Sequence, residues 1–246
     1  MANLYRVRKY GANWENIDMV ALHAYFGLRL LAGVYRSYGE CITQLWNEKN
    51  GRPIFRATMS LKTFKMIQSC LRFDDKVDRE ERRVRDKLAP IRNVFEKWNF
   101  NLKKLYTPGK RVTVDEQLIA FRGRCPFRQY IPSKPAKYGI RMWVLCDSET
   151  YYAYNTQVYV GRDRNCAPER NQGQRIVLDL CDGLTGRNVT CDNFFTSYDL
   201  AVELVKRKMT IVGTIRKNRV ELAPWVLNMK KNQCIQRNLC TSPIYK

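Results

Sequence analysis

Histidine is almost missing. A single residue, His23, stands in 246, so nucleophilic triads built on an imidazole have no material. His23 lies among helical apolar neighbours and reads as a core or interface residue rather than a ligand. The nine cysteines are odd in number and none sits in a C-x-x-C pair, so the spacing that marks zinc sites is absent, as is the even count of a short disulfide-stapled secreted domain. No zinc site is expected. Cys146, Cys181 and Cys191 fall in apolar runs and read as small core residues. Long uninterrupted apolar runs are lacking too: the longest apolar segment, Ile17 to Tyr35, carries Asp18, His23 and Arg29. It fails as a membrane span and reads as a buried helix. Met1 is not followed by the basic, apolar and small-residue progression of a secretory leader, and the chain is read as intracellular. Acids are scarce: 23 Asp and Glu face 44 Lys and Arg, a formal charge of +21. A field so one-sided favours a polyanionic partner, nucleic acid before an anionic membrane surface. Neither an internal repeat nor a low-complexity segment is present.

What the chain does have is core material, with 45% apolar residues and 12% aromatics, enough for one large domain or two smaller ones. Residues 1 to about 110 read as helical. NIDMVALHAYFGLRLLAGVY has an apolar face of helical period, SLKTFKMIQSCLRF opens on Ser60 as N-cap, and DDKVDREERRVRD reads as a charged loop. In LAPIRNVFEKWNFNLKKLY, Leu88, Ile91, Val94, Phe95 and Trp98 keep a helical stripe until TPGK breaks it. The period then changes. VTVDEQLIAF, YGIRMWVLCD and TYYAYNTQVYV are β-branched and aromatic runs between turn residues, expected as three successive antiparallel strands. A helix containing Ile176, Val177, Leu178 and Leu180 follows, then strand RNVTCDNFF, helix SYDLAVELVKRK and strand MTIVGTIR.

This order has a chemical consequence. In a mixed sheet whose first strand is central, the fourth strand can pair beside it and bring Asp115 next to Asp192. Two neighbouring carboxylates repel unless a divalent cation lies between them, and hard oxygen donors suit Mg²⁺. Two such ions serve phosphodiester chemistry by activating the attacking oxygen and stabilising the leaving one. The plainer alternative is that Asp115 ends a strand and Glu116 faces solvent. Other acids make weaker candidates: Asp199 and Glu203 share a helix face bordered by Lys206 and Arg207 and read as solvated pairing, Asp147 reads as a turn residue, and Glu116 points to the face opposite Asp115.

The string VTVDEQLIAFRGRCPFRQYIPSKPAKYGIRMWVLCDS, with RNVTCDNFFTS and MTIVGTIRKNR after it and AYFGLRLL, CLRFDDK and LYTPGK before it, resembles the piggyBac family of transposases and their domesticated relatives over most of residues 15 to 220. The resemblance implies cut-and-paste DNA transposition, TTAA-type target sites, transposon ends that pass through DNA hairpins, Mg²⁺ or Mn²⁺ as cofactor, and a nuclear location. It implies an α/β fold: a ribonuclease H-like mixed sheet over residues 111–219, ending after its fifth strand, preceded by a mostly α-helical dimerisation and DNA-binding region over residues 1–110. A homodimer acting on double-stranded DNA is expected. Of the family's three catalytic aspartates, the first falls on Asp115 in VDEQ and the second on Asp192 in CDNFF, as metal ligands.

Departures matter equally. The glycine-rich segment with a Val-Asp pair that carries the third aspartate has no counterpart here, and after Arg219 the only acid is Glu221. Residues 220–246 read as a divergent tail, from an altered reading frame, a misassigned exon or a decayed copy. The expectation is therefore a protein inactive on its own, with a catalytically silent DNA-binding and dimerising module or a relic as alternatives. Its DNA contacts are expected at Arg122, Arg124 and Arg128, at Lys134 and Lys137 flanking the turn IPSKPAKYG, and at Arg216, Lys217 and Arg219. Tyr130 or Tyr138 would offer stacking surface.

Overall fold

The computed structural model describes residues 2–11, 16–161, 167, 169–219 and 222, so the tail beyond Arg219 lies outside the described residues apart from Leu222. The chain divides into two compact units, Met1–Val94 and Phe95–Lys246.

Helices build the first unit: α1 (Ala2–Tyr10), α2 (Met19–Val34), α3 (Ile42–Leu45), α4 (Pro53–Thr58), α5 (Leu61–Cys70) and α6 (Arg79–Arg85). Caps set their starts. Asp18 accepts from the Ala21 N–H at 2.6 Å, and Ser60 accepts from the Thr63 N–H at 3.1 Å, each satisfying a backbone donor that the first helical turn leaves open. Tyr25, Leu28, Trp46, Phe55, Phe64 and Ile67 close the core, with the Trp46 indole donating to the Met59 carbonyl at 2.8 Å. Two expectations need correction here. Helix α2 is not buried all round: Tyr25 and Leu28 are covered, while Met19, Val20, His23, Leu30 and Val34 are exposed. His23 and Arg29 alone are too few to mark a polar face from which the covered side can be read. The charged run after α5 is no mere loop, because α6 forms in it. Asp74 pairs with Arg79 at 2.6 Å and Arg82 at 3.1 Å, and Asp78 pairs with Arg82 one turn on; ion pairs hold this helix where an apolar stripe is missing.

Helix α7 (Arg92–Leu105) leads into the second unit. It is tied to the sheet through Asn99, which donates to Asn155 at 2.9 Å and accepts from the Thr156 N–H at 2.9 Å. The sheet comprises β1 (Arg111–Ala120), β2 (Gln129–Tyr130), β3 (Tyr138–Asp147), β4 (Ala153–Val158), β5 (Asn188–Cys191) and β6 (Thr210–Gly213), with α8 (Gln172–Leu180) and α9 (Tyr198–Lys206) between the later strands. β3 lies between β1 on one side and β4 and β2 on the other; β5 and β6 follow beyond β1. β1, β3 and β4 run antiparallel, whereas β5 pairs parallel with β1, and β6 with β5. This is the mixed ribonuclease H-like order with the first strand central, as expected. The expected five strands are joined by a sixth, β2, two residues long and paired to the start of β3. The sequence hid it because two residues between Pro126 and Pro132 show no alternation.

One sheet face carries the core. Val112, Val114, Leu145 and Val189 meet Ile176 and Leu180 of α8 and Leu200 and Leu204 of α9. Packing is closest at Gly139, where a Cβ would come within 2.3 Å of the Ile119 carbonyl oxygen on β1.

Candidate active site

Parallel pairing of β1 and β5 runs from Arg111 opposite Asn188 to Val114 opposite Cys191, then stops. The next residue on each chain is an aspartate. Asp115 continues β1, paired across to Val144 of β3. Asp192 leaves β5 into a turn, since its Oδ1 accepts from the Phe194 N–H at 2.9 Å and its carbonyl from the Thr196 hydroxyl at 2.8 Å. The strand read as RNVTCDNFF is thus cut to four residues, because a side chain that bonds its own backbone two residues on makes a turn. Both aspartates are exposed. They follow Val114 and Cys191, which face the core, so the alternation of β1 turns Asp115 to the opposite face. Asp115 Oδ1 also accepts from the Glu116 N–H at 2.7 Å.

Two thiols register these charges. Burial foremost makes the Cys191 thiol far less acidic than usual, and the nearby Cys181, Asp192 and Asp115 add to the effect. Cys146, on β3, is raised by burial and by Asp115. Cys181 and Cys191 are core residues as expected, and Cys146 is half-buried.

Glu116 takes the other role. On the face shared with Val112 and Val114, its carboxylate pairs with Arg141 at 2.6 Å and Lys134 at 3.5 Å. Arg141 in turn lies 5.5 Å from the Trp143 and Phe194 ring centres. Sequence reasoning passed over this cluster. Its signal was the continuation of the Val112, Val114 alternation onto an acid, with a cation two residues before Trp143 on the partner strand. Asp147 is a turn residue, as read: buried, it accepts from the N–H groups of Gly109, Glu149 and Thr150 at 2.7, 2.8 and 3.0 Å, and these donors, Gly109 first, hold its pKa well below the usual carboxylate range. Glu203 pairs with Lys206 on α9.

The basic residues separate into groups. Arg122, Arg128 and Lys137 line a single open cavity of about 580 Å³ with Ala120 and Tyr138, beyond the end of β1. Arg128 crosses the loop, donating to the carbonyls of Arg122 and Gly123 at 3.2 Å each. Arg124 is exposed nearby but is not among the residues lining it. Lys134 is held by Glu116. Arg216, Lys217 and Arg219 follow β6, which runs parallel to β5 and so leaves the sheet at the same end as Asp192. Among the described residues no set of three or more His, Cys, Asp and Glu side chains is grouped to hold a metal ion. The pair Asp115 and Asp192 offers two exposed carboxylates of hard oxygen, a donor set that fits a divalent cation completed by water.

A family of proteins described as Transposase IS4 matches residues 1–242. Among solved structures, the cryo-EM structure of the piggyBac transposase synaptic complex with hairpin DNA superposes with a TM-score of 0.84 at 36% identity, covering 95% of this chain and 50% of that one. Two human proteins are also similar. PiggyBac transposable element-derived protein 3 is 27% identical over 145 residues, which is 56% of this chain and 24% of that protein. PiggyBac transposable element-derived protein 2 is 25% identical over 170 residues, 65% of this chain and 28% of that protein. The chain therefore spans about a quarter of the human relatives' length and half of the transposase chain.

Proposed function

Because the chain belongs to the transposase family described as Transposase IS4, as a piggyBac-type transposase or a protein derived from one, we propose that it carries the DNA-binding, two-carboxylate core of a metal-dependent phosphodiester-transfer site. The observation that carries this reading is the register of β1 and β5, whose last pair, Val114 and Cys191, is followed on each chain by an aspartate. Asp115 and Asp192 would hold Mg²⁺ or Mn²⁺, and a divalent ion supplies Lewis-acid stabilisation of the charged oxygens at a phosphodiester. The protein's part is to hold the two carboxylates on rigid elements, one in a central strand and one in a hydrogen-bonded turn, and to surround them with cations. Arg122, Arg124, Arg128, Lys134 and Lys137 beyond β1, and Arg216, Lys217 and Arg219 beyond β6, are the groups we assign to DNA phosphates.

Among the described residues no third carboxylate groups with Asp115 and Asp192 to hold a metal ion, which favours a second reading, a DNA-binding and dimerising module without its own chemistry. Both readings share a double-stranded DNA partner and nuclear action. The exposed Met19, Val20, Leu30 and Val34 of α2 support a homodimer through the helical region, since exposed large apolar side chains can seat a protein partner. TTAA-type target choice rests on family resemblance alone.

The test is an assay of the purified chain on DNA carrying family-type ends, with Mg²⁺ or Mn²⁺. Binding without cleavage is expected. Metal-dependent nicking that vanishes in Asp115→Asn would show that the two carboxylates suffice, and absence of DNA binding would overturn the proposal.

A further inference from the structure

The cavity beyond β1 has a feature that phosphate binding alone does not explain. Tyr138 forms part of its wall, and both Tyr138 and its register partner Tyr130 leave their rings in solvent, 48% and 56% exposed. The two rings lie 4.7 Å apart between centres and are tilted by 36°. Tyr130 thus packs against the Tyr138 ring, and the Arg128 guanidinium lies over that ring, 5.3 Å from its centre. Two tyrosines kept open to water beside three cations form a stacking platform with charge around it. The backbone supports the same conclusion. Lys137 adopts a left-handed conformation, φ 52°, unfavourable for a residue with a side chain. It is fixed by the Ile131 N–H donating to the Lys137 carbonyl at 2.7 Å. Strain of this kind persists where the surroundings impose it, and it concentrates at ligand sites.

Resting on the DNA reading above, we propose that this cavity is a subsite for an unpaired nucleotide, whose base stacks on Tyr138 while Arg122, Arg128 and Lys137 hold its flanking phosphates. A paired base inside a duplex has both faces covered by its neighbours, so a solvent-exposed tyrosine ring selects a base that has left the stack. Register places the platform on the metal-facing side of the sheet. Asp115 pairs with Val144, and Val144, Met142, Ile140 and Tyr138 alternate along one face of β3. From Asp115 to Ala120 at the cavity is five residues of strand, roughly 17 Å, or about five stacked nucleotides. The subsite therefore holds a strand some way from the reacting phosphate and acts by positioning and selecting DNA whose strands are locally parted.

Two duplexes of equal length test this, one blunt and one carrying a single-stranded overhang with 2-aminopurine in it, each titrated with the full chain at one salt concentration. The overhang duplex should bind about tenfold more tightly, the scale of one base stacked on an aromatic ring, and the 2-aminopurine fluorescence should be quenched. Tyr138→Leu should abolish both the preference and the quenching. Tyr138→Phe should keep both. Equal affinity of the wild type for the two duplexes, or a Tyr138→Leu variant that retains the preference, would overturn the subsite while leaving the DNA reading in place. Failure to bind either duplex would remove both.

Discussion

Asp115 and Glu116 are neighbours in sequence and opposites in the sheet, and their fates show what a strand does to two acids in a row. Asp115 goes to the open face with no cation of the protein drawn to it in an ion pair among the described contacts, whereas Glu116 goes inward to Arg141 and Lys134. The inward carboxylate is structural. Removing it in Glu116→Ala leaves Arg141, only 21% exposed in its side chain, without its counter-charge, and should cost about 1–2 kcal/mol of stability; a urea midpoint unchanged from wild type would contradict this role. Asp147 is the third acid with a fixed task. Backbone N–H donors from Gly109, Thr150 and Glu149 depress its pKa in the folded chain, so the stability it contributes is complete above the ordinary carboxylate range, near pH 4, and is lost as pH falls through that range toward the folded value. Thermal unfolding of wild type and Asp147→Asn at neutral pH and near pH 3 should therefore differ more at neutral pH than in acid. A difference that grows in acid would have the wrong sign.

At the scale of elements, the geometry of the Asp192 turn depends on how closely α8 and β6 approach it. Gly173, in the first turn of α8, leaves no room for a Cβ, which would stand 2.6 Å from the Phe194 carbonyl oxygen; at Gly213 of β6 it would stand 2.4 Å from that of Cys191. Gly173→Ala must push the turn outward. It should cost about 1–3 kcal/mol through overpacking and weaken divalent-ion binding, although no ligand is touched; unchanged metal affinity would show that Asp192 is positioned independently of α8. The strand order and the Asp115–Asp192 neighbourhood were legible in the sequence, because alternation marks β1 and β3 strongly and a central first strand leaves the fourth only one place beside it. The end of β5 was not legible. Asn193 and Phe194 continue the strand pattern, and the hydrogen bond from the Phe194 N–H to Asp192, which ends the strand, is a matter of side-chain direction. α6 and β2 escaped for a related reason: charges and a two-residue pairing, rather than apolar periodicity, hold them. The role of Glu116 needed the β1–β3 register before Arg141 could be seen across from it.

For the whole molecule the governing quantity is the +21 formal charge. Association with duplex DNA should release counterions, so the logarithm of affinity falls linearly with the logarithm of salt, by about 0.9 for every phosphate neutralised. Arg216→Ala and Arg122→Ala should each reduce that slope by roughly one unit; slopes identical to wild type would remove those residues from the contact set. Charge alone, however, describes any basic DNA-binding protein, and the central claim is narrower: Asp115 and Asp192 make one divalent-cation site. Calorimetric titration of Mn²⁺ into the wild-type chain, Asp115→Asn and Asp192→Asn tests it most directly. The account predicts weak binding by the wild type and markedly weaker binding by each single variant. Equal affinities in all three would mean that the two aspartates, adjacent though they are, do not share an ion.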